Sequence, residues 1–168
     1  MRVYLPATFP MLEQLHSESV IHARNGWAFA LTPALREFYT SGDDEELSEV
    51  AFDDAALASI RLLAIDSEQR FPHRRVVISA DVDDDAVEFQ PEMGESVVRL
   101  SPAEVALRDV AALHIDLEDA EADIERALAV LDAAELGDED AQLAVGDAAE
   151  HFLAWYDPTE LPFVVELL

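Results

Sequence analysis

Apolar residues in the first 40 positions fall into two segments of strand length, and each segment is followed by Thr, Pro and a pattern of helical spacing. The first strand is predicted over residues 2–5 and the second over residues 27–31. Thr at the N-cap and Pro in the first turn are typical residues of a helix start. We therefore predict a βαβα beginning, with parallel strands and both helix starts at one edge of the sheet.

The remainder of the chain alternates between period-2 and helical patterns. Leu47, Val50, Ala51, Leu62 and Ile65 belong to one long apolar stripe, which predicts an amphipathic helix over residues 43–66. The other predicted strands cover residues 74–82, 86–89, 97–100 and 110–115. The other predicted helices cover residues 116–136 and 139–156, before an apolar tail at residues 161–168.

These elements define an α+β fold class. We expect a single domain over residues 1–168, with a mixed β-sheet of about five strands covered by about five helices. The tail at residues 161–168 is too apolar to be free in solvent. It is predicted to pack either on this chain or on another protein.

The composition is strongly acidic and lacks two residue types. The 168 residues include 37 acids and ten bases, all of them Arg, for a net charge of −27. Without Cys there are no disulfides, thiolate metal sites or Cys nucleophiles, which fits a reducing compartment. The first residues do not form a secretory signal and no apolar run reaches membrane length, so we expect a cytoplasmic protein that does not contact a membrane.

The negative charge increases along the chain. Residues 1–42 carry no net charge, whereas residues 117–168 hold 15 acids and one Arg. A surface of this sign repels nucleic-acid phosphates and anionic lipids. We therefore expect no direct nucleic-acid partner. The partner is expected to be a protein or a second copy of the chain.

Four motifs distributed over nearly the whole chain resemble those of an uncharacterised family of short acidic proteins from high-GC bacteria. They are RVYLPAT at residues 2–8, FALTPALRE at residues 29–37, LGDEDA at residues 136–141 and the Trp155–Tyr156 pair. The family is a domain of unknown function. The resemblance therefore implies a bacterial, cytosolic origin, and it implies no activity, cofactor or catalytic residue.

The two Thr-Pro helix starts are the first candidate site. If the two strands are parallel, free backbone N–H groups of both helices meet at one edge, where they are able to bind an anion. Thr8 and Thr32 would add hydroxyl groups and Arg36 a positive charge. The alternative is that both Thr residues are ordinary N-caps and that Arg36 is a surface residue.

Asp81, Asp83, Asp85 and Glu92 form the second candidate site. They occupy positions 1, 3, 5 and 12 of a calcium loop of the EF-hand type. Position 6 is Ala86 instead of Gly, and the flanking segments are predicted strands. The alternative is therefore an acidic turn at a solvent-exposed edge of the sheet.

No catalytic motif is present. The five His residues have no zinc-binding spacing, no G-x-S-x-G sequence surrounds a Ser, and no cofactor is expected. Trp155 and Tyr156 are predicted either to anchor an interface or to pack in the core against the first strand. The favoured hypothesis is a non-enzymatic protein-interaction or regulatory module. The alternatives are a small enzyme or metabolite binder that uses the Thr-Pro edge, and a nucleic-acid mimic that binds a basic partner.

Overall fold

The computed structural model describes residues 1–66 and 70–168, which form nine strands and six α-helices. The strands are β1 (Arg2–Ala7), β2 (Val20–His22), β3 (Trp27–Phe29), β4 (Val76–Asp81), β5 (Val87–Phe89), β6 (Val97–Leu100), β7 (Glu104–Ala106), β8 (Val110–Asp116) and β9 (Leu153–Tyr156). The helices are α1 (Phe9–Glu18), α2 (Pro33–Phe38), α3 (Asp44–Ile65), α4 (Glu121–Glu135), α5 (Glu139–Ala149) and α6 (Leu161–Glu166).

The main sheet has seven strands in the order β5-β6-β3-β1-β4-β8-β9, and β2 pairs with β7 in a separate small sheet. Every strand pair is antiparallel. The α+β class is therefore confirmed, while the expected mixed sheet of about five strands is wrong. The additional strands are three or four residues long, too short for their alternation of apolar and polar residues to mark them as strands.

The prediction that the first two strands are parallel is wrong. Tyr4 of β1 pairs with Phe29 of β3 in an antiparallel register. The reason is β2, which lies between α1 and β3 and adds one more reversal of the chain. Ser19, in the left-handed conformation with φ 59°, begins this reversal, and the turn at Asn25 and Gly26 completes it. The two Thr-Pro helix starts follow the C-terminal ends of β1 and β3, and because these strands are antiparallel, the two helix starts lie at opposite ends of the strands.

Helices cover both faces of the main sheet. One face, called the α3 face below, packs against α3, with α4 and α5 stacked on that helix. The other face packs against α1, α6 and the small β2–β7 sheet, and it contains the largest apolar core. Leu161 and Val164 of α6 are buried in that core. The apolar tail therefore packs on its own chain.

The last predicted helix ends earlier than its pattern indicated. α5 ends at Ala149, and residues 153–156 form β9 at the edge of the main sheet. Pairing with β8 satisfies the backbone of this segment and overrides its helical period. A buried ion pair holds the preceding turn: the Arg75 guanidinium bonds both oxygens of Asp116 at 2.8 Å and donates to the backbone oxygen of His151 at 2.7 Å.

Candidate functional site

A cleft of about 460 Å³ lies on the α3 face, between α3 and the strands β3 and β6. It exists because α3 packs mainly on β1, β3 and β4, so the β6 side of the sheet extends beyond the helix. Concave, largely apolar clefts with a few polar groups are the usual location of small-molecule sites. This cleft is therefore the candidate functional site.

The walls of the cleft come from three parts of the chain. One wall is a stripe on α3 whose residues are spaced three or four apart and so share one side of the helix. The floor is formed by apolar side chains of the sheet, and the far wall is the loop before β6. The lining residues are Pro6, Arg24, Trp27, Phe29, Asp54, Leu57, Ala58, Arg61, Leu62, Met93, Gly94, Glu95, Ser96 and Val97.

Asp54 and Ser96 join α3 to the loop before β6. The Ser96 hydroxyl donates to Asp54 Oδ2 at 2.6 Å, and the backbone oxygen of Ser96 accepts from the N–H of Ala30 at 2.9 Å. Burial raises the pKa of the Asp54 carboxyl, the Ser96 hydrogen bond opposes this shift, and the charge of Glu95 adds to it. Asp54 is thus a carboxylate held in a poorly solvated wall of the cleft.

Two arginines that form no hydrogen bond or ion pair among the described residues lie at this cleft. Seven of the ten Arg residues bond an acidic side chain among the described residues. The three that have no hydrogen bond or ion pair within residues 1–66 and 70–168 are Arg24, Arg99 and Arg108. Arg24 lines the cleft, and the Arg99 guanidinium lies 5.5 Å from the ring centre of Trp27 in its floor. Two of these three cations therefore stand beside one apolar cleft.

Thr32 and Arg36 lie together at α2, whereas Thr8 lies apart from them at the start of α1. Thr32 caps α2, since its hydroxyl accepts from the Leu35 N–H at 3.1 Å and donates to the backbone oxygen of Glu95. Arg36 is paired with Asp44. Thr8 lines a second hollow of about 360 Å³, which shares Arg24 and Leu62 with the cleft. Ligand contacts of Thr8, Thr32 and Arg36 stay predictions.

The four residues of the calcium pattern do not converge. Asp81, at the end of β4, bonds Arg2 at 2.7 Å, and that hydrogen bond lowers the pKa of Asp81. β5 separates the three aspartates from Glu92. In the described part of the chain, no group of three or more acidic or His side chains is placed to hold a metal ion.

Sequence reasoning missed Arg24, Trp27, Asp54, Arg61 and Ser96 as a group. They come from three separate segments, and antiparallel pairing of β3 and β6 brings two of these segments together. One signal was present: Asp54, Leu57, Arg61 and Leu62 follow the helical period but alternate charged with apolar residues. Charged residues beside an apolar stripe mark the boundary between the buried and the solvated sides of a helix.

Trp155 and Tyr156 lie on opposite faces of β9. Tyr156 packs against the large core, whereas Trp155 is 60% exposed and pairs across the strands with His114. Core packing of Trp155 against the first strand is therefore wrong. β9 is the outermost strand of the main sheet on its side.

The chain matches the family of unknown function DUF6912 over residues 1–165. The chain belongs to this family. The match confirms the resemblance to an uncharacterised family, and it attaches no activity to the cleft.

No curated protein and no solved structure matches the chain. Among the described residues, none of the helices is both long enough and apolar enough to cross a membrane.

Proposed function

We propose that this protein binds a small amphipathic organic anion in the cleft between α3 and β3. The observation that supports the proposal is that Arg24 and Arg99, at an apolar cleft of a protein with 37 acids, form no ion pair within residues 1–66 and 70–168. Arg24 would bond the anionic group, and Trp27, Phe29 and Leu57 would cover the apolar part of the ligand.

Arg24 is suited to this role because it has no hydrogen bond or ion pair to another described residue. A ligand that binds a paired arginine must first displace a carboxylate, whereas the Arg24 fork has no hydrogen bond to lose within the described chain. A guanidinium binds a carboxylate or phosphate through two parallel hydrogen bonds. Arg61 adds positive charge nearby, although its Nε already donates to Glu135 at 2.9 Å.

The proposal is a binding function and not a catalytic one. Ser96 supplies the one hydroxyl among the residues that line the cleft. Its side chain is 2% exposed and donates to Asp54, so its oxygen does not face a substrate. The cleft therefore holds charges that orient a ligand, while its one hydroxyl is buried against Asp54 and is not presented to a substrate.

Fluorescence of Trp27 tests the proposal. The chain contains two Trp residues, so the Trp155→Phe variant retains Trp27 as its only tryptophan. We expect 3-phenylpropionate to quench this variant with saturation, and its neutral amide to bind at least about tenfold more weakly.

Two further variants in the Trp155→Phe background provide the comparison. Arg24→Gln should weaken binding by about tenfold or more. Arg108→Gln should leave binding unchanged, because Arg108 also has no ion pair among the described residues but does not line the cleft. Equal affinity for the acid and its amide, or equal effects of the two substitutions, would contradict the proposal.

A second candidate function is docking of a basic protein partner on the β9 edge. The exposed Trp155 favours it, because aromatic residues at an open edge strand commonly anchor partners. The 15 acids of residues 117–168 would attract a basic segment, as they would in a nucleic-acid mimic. Anisotropy of a labelled peptide of alternating Arg and Val tests this function. Trp155→Ala should abolish its binding, and Trp27→Phe should not.

A further inference from the structure

The cleft is lined by acidic as well as basic side chains, and the acidic residues Asp54 and Glu95 lie at the opposite end from Arg24. Asp54 and Glu95 stand near Ser96, at the end where Phe29 pairs with Val97. Arg24 precedes Trp27 at the other end of β3. We infer that the ligand is a zwitterion: a short apolar peptide with free termini, its ammonium at Asp54 and Glu95 and its carboxylate at Arg24. This inference rests on the proposed function and names its ligand class.

The separation of the two ends sets the length of the ligand. Arg24 lies at the Leu62 end of α3, since both residues line the cleft and the adjoining hollow. Asp54 and Arg61, the neighbour of Leu62, are seven residues apart on α3. Their backbones are therefore about 10 Å apart along one side of the helix at 1.5 Å per residue. Three extended residues span about 10 Å. A tripeptide therefore reaches from one end of the cleft to the other, whereas a single amino acid does not.

Both acidic groups are available to a cation. Asp54 accepts a hydrogen bond from Ser96 at Oδ2, and within the described residues no Arg or His forms an ion pair with Asp54 or with the Glu95 side chain. An ammonium group at this end would satisfy two neighbouring carboxylates at once. The same molecule's carboxylate would satisfy Arg24.

The middle of the cleft is apolar. Trp27 and Phe29 point to the same side of β3, because residues two apart in a strand share a face. Leu57 of α3 and Val97 of β6 complete this part of the lining. A central aromatic or aliphatic side chain of a tripeptide would therefore bury apolar surface between the two charged ends.

The tripeptide Ala-Phe-Ala, its N-acetyl form and its C-terminal amide test the inference. Titrations use the Trp155→Phe variant and follow Trp27 fluorescence. We expect the free peptide to bind, and acetylation and amidation each to weaken binding by at least about tenfold. In Asp54→Asn, acetylation should weaken binding by less than about threefold, because the group that binds the ammonium is changed. In Arg24→Gln, amidation should weaken binding by less than about threefold, because the group that binds the carboxylate is changed.

If Asp54→Asn does not fold, Glu95→Gln replaces it as the variant that changes the acidic end of the cleft. Glu95 is exposed, so its substitution should not disturb the fold. Equal binding of the free and acetylated peptides would overturn the zwitterion inference. In that case saturable binding of 3-phenylpropionate would still support the proposed function. Absence of binding by both the peptide and 3-phenylpropionate would overturn both.

Discussion

The Ser96 hydroxyl donates to the Asp54 carboxylate at 2.6 Å, and this bond joins two elements that are 42 positions apart in the sequence. It holds the loop before β6 against α3 and so fixes the acidic end of the cleft. The carboxylate is poorly solvated there, so the bond also stabilises its charged form.

Removing the hydroxyl should destabilise the protein in a pH-dependent way. Ser96→Ala leaves Asp54 without its donor, and we expect the free energy of unfolding at pH 7 to fall by about 1–3 kcal/mol. The folded-state pKa of Asp54 is raised, so burial of its charge costs stability at high pH, and protonation relieves that cost as the pH falls. Urea unfolding at pH 7 and pH 4.5 should therefore show a smaller deficit at the lower pH. Ser41→Ala, at an exposed position, is the control. A deficit independent of pH would count against this role of Asp54.

Gly26 shapes the turn that carries Arg24 into β3. Its φ is +78°, and a Cβ at this position would lie 2.8 Å from the backbone oxygen of Leu100. Gly26→Ala should lower the free energy of unfolding by about 1–3 kcal/mol, because strain and a backbone clash combine. Gly146→Ala in α5 has open space around the new methyl group, and it should instead stabilise the protein by about 0.5–1 kcal/mol. Urea unfolding of both variants checks the prediction, and effects of the same sign would refute it.

His114 should make the fold less stable in acid. Burial, and secondarily the charge of Arg2, lower its pKa from 6.5 to about 4. Below pH 6.5 the unfolded chain takes up a proton at this residue that the folded chain does not accept until about pH 4. Its contribution to stability is therefore lost as the pH falls through this window. His114→Gln should show a shallower loss of the free energy of unfolding between pH 6.5 and pH 4. A loss as steep as that of the wild type would contradict the assignment.

The net charge of −27 should make stability depend on salt. Like charges held on one folded chain repel each other, and about 0.1 M salt screens interactions beyond about 10 Å. We expect the melting temperature to rise between about 0.02 M and about 0.2 M NaCl. KCl at equal ionic strength should give the same rise, which separates screening from binding of a specific ion. A flat response would show that the carboxylates are already well separated or paired.

The sequence was informative wherever one element carried a long pattern of its own. The apolar stripe from Leu47 to Ile65 predicted α3 almost to the residue, and the β-branched run near Val76 predicted β4. Strands of three residues, such as β2, have too short a pattern, and missing β2 reversed the predicted direction of β3. Trp155 fitted a helical stripe, yet its backbone pairs with β8. The cleft could not be predicted from the sequence either, because strand pairing brings together segments that are distant along the chain.

The indole N–H groups of Trp27 and Trp155 provide the most direct test of the cleft, since each reports on one of the two candidate surfaces. In a ¹⁵N NMR titration of the wild-type protein with 3-phenylpropionate, we predict a saturable shift of the Trp27 indole signal and none for Trp155. In the same titration of Arg24→Gln, the Trp27 signal should need at least about tenfold more probe to reach half of its shift, and the Trp155 signal should again not move. A shift at Trp155 alone, or an unmoved Trp27 signal at saturating probe, would contradict binding in the cleft.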